Sequence, residues 1–423
     1  MSLFLKMAND ASFFNLRSLI FLVVCLGIAC ELEPVLALNS QFPATLTNAS
    51  ALAELAARHC LSVWQDTTTY PHFSAWGYEG GVIQLGLWEL SSVLTPAAAG
   101  FIQQQCSTVL ESFLAPPRGL AYKILHDDRI LFPWGYSIGD HIALYPVAYA
   151  ARVKYYQNAT YVNKTDVTLC NSVAKRFVLG YPHRLLDGTV SRSVGWGADY
   201  FPANSSAVWV DDSFMGTALL AHSLTLLDSP VLFADYTADQ LLHFVLHLKD
   251  PQTGLLHHGF DGARGIQSCC AWGRGNGWAL MALTDLLLVL PVSHPRFSAL
   301  LGNYSQLARA VAALQGTDGR WHNVLTDATA ALETSCSAFF LHAFIRGLQQ
   351  GWLPPVFGGV VARAWQGIAA QVASDGSIGG IVGETGIKDS AAGYQPRQTD
   401  YRNAAPGLGA VLRAMAAAVQ FGL

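Results

Sequence analysis

Apolar residues recur at helical spacing through most of the chain beyond residue 45, and strand-like alternation is scarce. Recurrence every three to four residues is typical of the apolar face of an amphipathic helix, so the pattern predicts eleven or twelve helices. These cover residues 49–65, 96–114, 139–156, 166–179, 212–227, 236–249, 277–290, 302–315, 335–349, 359–373 and 405–420. The pattern therefore indicates an all-α protein.

The predicted helix pairs follow one another at intervals of about 50 to 70 residues. This length suits a closed ring of helical hairpins, with inner and outer helices alternating and function carried by the loops at one end. Such loops are predicted at 72–81, 132–141, 196–212, 254–276 and 316–335. A solenoid of stacked hairpins is the structural alternative, but no strict repeat is visible. No linker tract divides the chain, so the sequence predicts one domain over 45–423.

The N-terminus has the pattern of an export signal. Lys6 and Arg17 precede an apolar run over 18–30, and cleavage is expected near Ala37. The run is shorter than the roughly 20 residues that a membrane span needs, so a cleaved signal peptide over 1–37 is favoured over an uncleaved anchor. Glycosylation sequons at Asn48, Asn158, Asn163, Asn204 and Asn303 also favour a secreted protein.

Eight cysteines are present, two of them inside the predicted signal peptide. The remaining six are Cys60, Cys106, Cys170, Cys269, Cys270 and Cys336. In a secreted chain they allow up to three disulfides, and their spacing matches no zinc pattern. The adjacent Cys269 and Cys270 are not expected to bond to each other, because the ring that they would form is strained.

Composition narrows the function classes. The chain has 423 residues, of which 52% are hydrophobic and 13% charged, with a formal net charge of −4. It has no basic patch for nucleic acid and, after the N-terminus, no segment that predicts stable membrane insertion. No metal or other cofactor is predicted, and the sequence indicates no particular oligomeric state. Gly273–Gly277 lacks the Lys-Ser/Thr ending of a phosphate-binding loop.

Two segments about sixty residues apart place charge among aromatic side chains. The first runs Trp-Val-Asp-Asp-Ser-Phe-Met-Gly from Trp209, and the second runs Trp-Gly-Arg-Gly-Asn-Gly-Trp from Trp272. A carboxyl group beside indole rings loses water, so the pKa of Asp211 is expected to rise. Arg274, in a glycine-rich turn, can present its planar fork to a carboxylate. The two segments together suggest a site that protonates an acidic sugar.

These motifs, with three others, resemble those of a known enzyme family. The chain resembles the unsaturated rhamnogalacturonyl hydrolases of glycoside hydrolase family 105 and, more distantly, the unsaturated glucuronyl hydrolases of family 88. The matching stretches are Trp209–Met215, Thr253–Asp261, Trp272–Trp278, Asp318–His322 and Leu332–Ser335, with the glycine-rich run 407–410. Several independent motifs in the same order make the resemblance specific over most of the chain past residue 70.

The resemblance implies an (α/α)6 barrel and assigns roles to individual residues. It implies that Asp211 is the general acid and base, with Asp140 as a second aspartate that positions water or raises the pKa of Asp211. Substrate contacts are implied for Trp209, Met215, His258, Trp272 and Arg274. Structural alternatives stand beside these roles: a helix N-cap for any of the aspartates, an ion pair for Arg274 and a buried, satisfied imidazole for His258. Because Asp212 follows Asp211, the sequence leaves open which carboxyl is the donor.

The implied substrate is an oligosaccharide with a terminal uronic acid that carries a C4=C5 double bond, of which the rhamnogalacturonan type is favoured. The implied reaction protonates C4 and adds water at C5, and the glycosidic bond is then lost as the hemiketal opens. An ordinary inverting glycosidase that uses Asp140 and Asp211 is one alternative. A sugar-binding protein without catalytic activity is another, and the intact motifs around Asp211 and Arg274 argue against it.

Overall fold

The computed structural model describes residues 48–65, 78–114, 206–395 and 405–423, together with residue 201 and parts of 168–192. Helices dominate these described residues, as the sequence predicts. They are α1 (Ala49–Gln65), α2 (Tyr78–Ser91), α3 (Pro96–Leu114), α4 (Asp212–Met215), α5 (Ala218–Ser223), α6 (Pro230–Leu248), α7 (Gly273–Val289), α8 (Phe297–Ala312), α9 (Thr334–Gln349), α10 (Phe357–Ala369), α11 (Ala391–Tyr394) and α12 (Ala405–Phe421).

The long helices form two layers. Helix α12 packs between α2 and α9, α9 packs on α7, and α7 packs on α5, which makes an inner row. The others lie outside this row: α1 contacts α12 and α3, α8 contacts α7 and α6, and α10 contacts α9. Among the described residues, inner and outer helices alternate in chain order, and α1 contacts α12. The predicted all-α barrel of helical hairpins is therefore confirmed.

Most helix positions follow the sequence pattern, in the inner row as well as outside it. The bounds of α1 and α3 coincide with prediction, and most other helices differ by a few residues. The segment 212–227 was predicted as one helix and is divided into α4, α5 and a 3₁₀ turn at Leu224–Leu226. Helix α2 was not predicted because every residue from Gly80 to Ser91 is buried, so it has no polar face to create a periodic pattern. The predicted helix 139–156 lies outside the described residues.

Short strands at the ends of helices position the motif residues. Strands β1 (Ala207–Trp209), β2 (Gly259–Asp261) and β3 (Ile266–Gln267) form an antiparallel sheet, in which Trp209 lies opposite Gly259. Strands β4 (Trp321–His322) and β5 (Leu332–Glu333) form a separate hairpin that leads into α9. Because β1 and β2 pair, the residue after β1 and the residue before β2 are neighbours.

The inner helices are joined by a buried charge network. Arg413 of α12 donates to both carboxylate oxygens of Glu89 in α2 and of Asp285 in α7, at 2.7–3.0 Å. His222 of α5 lies 2.9 Å from Asp285. Burial alone raises the pKa of both carboxyls, but the Arg413 guanidinium, with His342 and Arg346 near Glu89 and His222 near Asp285, holds both pKa values below their usual range. The network connects four inner helices, and each buried charge in it is stabilised by an opposite charge on another helix.

The cysteines differ from expectation. Cys269 and Cys270 are joined by a disulfide, so the prediction that these neighbours do not bond is wrong. Cys60, Cys106 and Cys336 are free and buried. Of the five cysteines that the structure describes, only Cys269 and Cys270 form a disulfide. This disulfide lies just before the Trp272 motif in the chain.

The predicted signal peptide over 1–37 lies outside the described residues, and the single domain over 45–423 stays a prediction. Across 48–65, 78–114, 206–395 and 405–423, no helix is both long enough and apolar enough to cross a membrane.

Candidate active site

Asp211 stands in the turn between β1 and α4, at the N-cap position of α4. Its backbone is in the right-handed helical region and its side chain makes no capping hydrogen bond, so the N-cap interpretation of this carboxyl is wrong. The side chain is 14% exposed, and Oδ2 is buried with no hydrogen-bond partner among the described residues. The fold therefore fixes the position of the carboxyl, while Oδ2 makes no hydrogen bond that would stabilise the described part of the structure.

His258 lies directly beside this carboxyl. Its backbone N–H donates to the Cys270 carbonyl and its own carbonyl accepts from Val210, both at 3.0 Å, which fixes it between the two motif segments. The imidazole is fully buried, and its Nε2 lies 3.4 Å from Asp211 Oδ2. This distance is longer than a normal hydrogen bond.

Aromatic rings enclose the pair. The centroid of the His258 ring is 4.4 Å from that of Trp272, 5.3 Å from that of Trp209 and 5.8 Å from that of Tyr394. Trp272 Nε1 donates to Asn323, whereas the buried Trp209 Nε1 has no acceptor among the described residues. Trp209 Nε1, His258 Nε2 and Asp211 Oδ2 are thus three buried polar atoms of this cluster that have no hydrogen-bond partner in the described part of the chain. Since buried polar groups are normally paired, these atoms indicate a place for a polar ligand.

The pKa of Asp211 is lowered, and the expectation that it is raised is wrong. Burial does raise it, but the adjacent His258 and the nearby Arg192 guanidinium outweigh burial. Burial also lowers the pKa of His258, so the imidazole is neutral at neutral pH. Without substrate the site therefore holds an aspartate anion beside a neutral histidine.

Asp212 has a different role from its neighbour. It is fully buried and accepts two hydrogen bonds from Arg192, at 2.8 and 2.9 Å. The guanidinium of Arg192 also lies over the Trp209 ring, 4.0 Å from its centroid. The N-cap interpretation of Asp212 is wrong, and its carboxyl is already occupied as the partner of a buried cation. Asp211 is therefore the carboxyl that is open to a ligand.

Arg274 lies deeper than the sequence suggested. It is 2% exposed and donates to the carbonyls of Val382, at 2.7 Å, and Gly383, and to Ser335 Oγ at 3.3 Å. Its guanidinium is also 4.0 Å from Glu333 Oε1. Through these contacts Arg274 connects the 382–383 segment to the start of α9. Contact between Arg274 and a substrate carboxylate stays a prediction.

The remaining predicted residues divide into three groups. Trp209 and Trp272 join Asp211 and His258 at one place, as the motifs suggested. Met215 is buried at the end of α4, and its contact with substrate stays a prediction. Asp140 lies outside the described residues, so its role also stays a prediction. No group of three or more metal-ligating side chains occurs within the part of the chain that the structure describes.

Two residues of the site were missed by sequence reasoning, Arg192 and Tyr394. Arg192 reaches the site because its backbone pairs with Ala207 of β1. Tyr394 reaches it from α11, which is 136 residues from His258 in the chain. Neither lies in a recognisable motif, and only tertiary contacts reveal them.

The family model of Glycosyl Hydrolase Family 88 matches residues 149–421. The chain belongs to this family. It is 28% identical over 230 residues to the unsaturated rhamnogalacturonyl hydrolase YesR of Bacillus subtilis, which covers 53% of the chain and 62% of that protein. It is 27% identical over 176 residues to an unsaturated 3S-rhamnoglycuronyl hydrolase of an Alteromonas species, covering 40% of the chain and 42% of that protein. The chain thus spans less than two thirds of either relative.

Solved structures share the fold of this family 88 chain. A glycoside hydrolase from family 105 of C. acetobutylicum matches with a TM-score of 0.65 at 21% identity, over 85% of this chain and 98% of that one. The unsaturated glucuronyl hydrolase of Bacillus sp. GL1 matches with a TM-score of 0.58 at 14% identity, over 86% and 94%. The family resemblance inferred from the motifs is therefore confirmed.

Proposed function

We propose that the protein is a glycoside hydrolase that removes a terminal 4,5-unsaturated uronic acid from oligosaccharides made by polysaccharide lyases. The observation that carries the proposal is the group of unpartnered polar atoms at Asp211, His258 and Trp209, buried among aromatic rings. A sugar offers hydroxyl and carboxylate groups to such atoms and a flat face to the rings. The activities named for the relatives of family 88 point to the same substrate class.

Asp211 carries the proton in the proposed reaction. Its protonated form donates to C4 of the double bond, which leaves an oxocarbenium-like centre at C5. The resulting carboxylate then accepts a proton from water as that water adds to C5. The C5 hemiketal opens by breaking its bond to the ring oxygen, and the hemiacetal that forms at C1 releases the rest of the glycan. No nucleophile attacks the anomeric carbon, so one carboxyl serves both steps.

Binding of the anionic substrate favours the protonated form of Asp211, which the free site lacks. A uronate carboxylate placed near Asp211 is a like charge, and the sugar ring excludes water from the Asp211 side chain. Both effects raise the pKa of Asp211 in the complex. His258 stands next to the same carboxyl and can donate from Nε2 as charge shifts during the reaction. Substrate binding and proton uptake are therefore coupled.

This coupling predicts a pH dependence. The pKa of Asp211 in the free enzyme is lowered, so the protonated fraction falls as pH rises above that value. We expect kcat/KM to decline about tenfold for each pH unit on the alkaline side of its optimum, because kcat/KM reports the free enzyme. Initial rates measured from acid to neutral pH at substrate concentrations well below KM test this. A kcat/KM that is flat up to neutral pH would contradict proton donation by Asp211.

Substrate choice tests the activity itself. A panel of lyase-made rhamnogalacturonan, ulvan and glucuronan oligosaccharides is incubated with the enzyme, and the ultraviolet absorbance of the double bond is followed. We expect absorbance to fall with release of the shortened glycan, and we expect rhamnogalacturonan fragments to be the preferred substrates. The matched control is each oligosaccharide with its terminal ring saturated. Cleavage of the saturated sugar would indicate an ordinary inverting glycosidase, and binding without turnover would indicate a sugar-binding protein.

We also propose that the protein is secreted. The N-terminal pattern over 1–37 and the five sequons support this location. The disulfide between Cys269 and Cys270 supports it as well, since such bonds persist mainly in oxidising compartments. Lyase-made fragments of extracellular polysaccharides would be available there.

A further inference from the structure

Tyr394 touches the His258 ring, yet it lies in no motif and no step of the proposed reaction uses it. Its hydroxyl lies 2.8 Å from His258 Nδ1, on the opposite side of the imidazole from Asp211. Its ring is fully buried in a cluster with Cys270, Trp272, Val324 and Ala330. Burial raises the pKa of the phenol, so the hydroxyl keeps its proton throughout the range in which the enzyme works.

The hydrogen bonds around the phenol indicate the direction of its proton. The backbone N–H of Lys388 points to the same oxygen at 3.4 Å, so that oxygen already accepts one hydrogen bond. The hydroxyl proton is then left to donate to His258 Nδ1. A neutral imidazole that accepts at Nδ1 carries its own proton on Nε2. That proton faces Asp211 Oδ2, whereas the other tautomer would turn a lone pair toward the carboxylate.

We propose that Tyr394 is a positioning residue, whose hydroxyl fixes the ring orientation and the tautomer of His258 so that Nε2–H faces Asp211. The assignment rests on the proposed function for its kinetic consequences but not for its geometry. Tyr394 acts through His258 and touches no reacting atom. Its effect is to give the Asp211 carboxylate a constant donor and to keep the imidazole aligned as the carboxyl gains and loses its proton.

Tyr394 is itself firmly held. The Lys388 carbonyl lies 3.5 Å from Cys269 Sγ of the disulfide, and Ile387 packs with Phe201 and Trp209 on the other side of the site. The segment 387–394 is thus packed at its start through Ile387 and at its end through the buried ring of Tyr394. A hydroxyl carried by such a segment can hold an imidazole within the narrow range that proton transfer requires.

Other charges act on the same pair. Among the described residues, the Arg192 and Arg274 guanidinium groups lower the pKa of His258, and Arg192 lowers that of Asp211. Both arginines are engaged by other groups, Arg192 by Asp212 and Arg274 by backbone carbonyls. Neither can replace the Tyr394 hydroxyl at Nδ1, because that atom faces the phenol.

The test compares Tyr394→Phe with Tyr304→Phe in the full-length protein. Tyr304 is a matched control: it is fully buried, and its hydroxyl donates at 2.7 Å to the Ala343 carbonyl, between α8 and α9 and away from the site. For Tyr394→Phe we expect kcat to fall about 10- to 100-fold with a smaller change in KM. The alkaline limb of kcat/KM should move up by about half to one pH unit, because an Asp211 carboxylate that loses its constant donor has a higher pKa. Tyr304→Phe should change neither quantity.

A second measurement does not depend on turnover. In protein labelled with ¹⁵N-histidine, the imidazole nitrogens of His258, identified by their loss in His258→Gln, report which ring nitrogen carries the proton. We expect Nε2–H in the wild type and a mixture of tautomers in Tyr394→Phe, with no change in Tyr304→Phe. A wild-type imidazole protonated at Nδ1, or an unchanged tautomer in Tyr394→Phe, would overturn the proposal. If the tautomer shifts while no unsaturated sugar is turned over, the proposed function fails and the positioning role stands.

A double-variant cycle separates positioning from general loosening of the site. Glutamine at 258 keeps an N–H donor without a tautomer to select, so Tyr394→Phe added to His258→Gln should have little further effect on kcat. Equal effects of Tyr394→Phe in both backgrounds would show that the tyrosine acts by packing alone and would contradict the proposal.

Discussion

Replacement of Asp211 by asparagine is expected to lower kcat by about 10²- to 10⁴-fold, the range for loss of a general acid and base. Asparagine matches aspartate in shape but can neither give a proton to C4 nor accept one from water. Because Asp211 Oδ2 makes only the long 3.4 Å contact with His258 Nε2 among the described residues, the fold should depend only weakly on its charge. The measurement is loss of double-bond absorbance under single-turnover conditions, accompanied by the thermal unfolding midpoint, which should stay near that of the wild type.

The neighbouring carboxyl provides the comparison. Asp212→Asn removes one partner of a buried, bidentate pair and leaves Arg192 short of its anion, so it should lower the unfolding midpoint more than Asp211→Asn does. The Asp212 variant should retain measurable turnover wherever it is folded, since its carboxyl does not face the ligand position. Undiminished turnover by Asp211→Asn would assign the proton donor to Asp212 or to Asp140.

Local sequence was sufficient for the half of the site that lies in continuous motifs. Trp209 and Asp211 fall in one segment, which pairing of β1 with β2 brings to His258. Trp272 falls in another, which the hydrogen bond from the His258 N–H to the Cys270 carbonyl brings there. The reason is that each motif includes its own turn and the start of its own helix. The same reasoning assigned Arg274 to substrate, whereas in the structure it donates to backbone carbonyls and a serine. Which way a buried guanidinium points depends on distant loops, and sequence does not show that.

The protonation state of Asp211 shows a second limit. Sequence supplied the indole neighbours, which exclude water and favour the neutral acid. It did not supply Arg192, which joins β1 through a backbone bridge, or the closeness of the His258 ring. These two groups reverse the direction of the pKa shift. Neighbours in the chain therefore predict the effect of desolvation on the pKa of Asp211. They do not predict the opposing effect of charged and polar groups that tertiary contacts bring close.

A helix with a polar face exposed to solvent gives a periodic pattern from which its bounds can be predicted. The outer helices α1 and α3 have a polar face, so their bounds could be predicted to the residue. The inner helix α2 has none, since all its residues from Gly80 to Ser91 are buried, and its glycines made it look like a loop. A helix whose whole surface is covered can lose the periodic signal, as α2 does, although the inner helices α9 and α12 were predicted to within one residue.

Replacement of Arg413 by methionine should destabilise the protein by about 3–5 kcal/mol, the cost of removing one partner from a buried ionic network. Arg413 is the cation between Glu89 of α2 and Asp285 of α7, and all three side chains are at most 4% exposed. Methionine fills similar space without charge, so the two carboxylates remain in the core with only His222 beside Asp285. Chemical denaturation at neutral pH measures the loss.

The sign of the pH dependence provides a sharper test of this network. In the wild type both carboxyl pKa values lie below the ordinary values of 4.5 for Glu89 and 3.8 for Asp285, so the stabilisation is present above these values and is lost as pH falls through the lowered ones. Without Arg413, burial dominates and raises both pKa values, so the folded variant binds more protons than the unfolded chain and loses stability as pH rises. The triple variant Arg413→Met, Glu89→Gln, Asp285→Asn removes the buried charges together and should recover part of the loss. A pH dependence of Arg413→Met that is unchanged from the wild type would show that the guanidinium does not control these carboxyls.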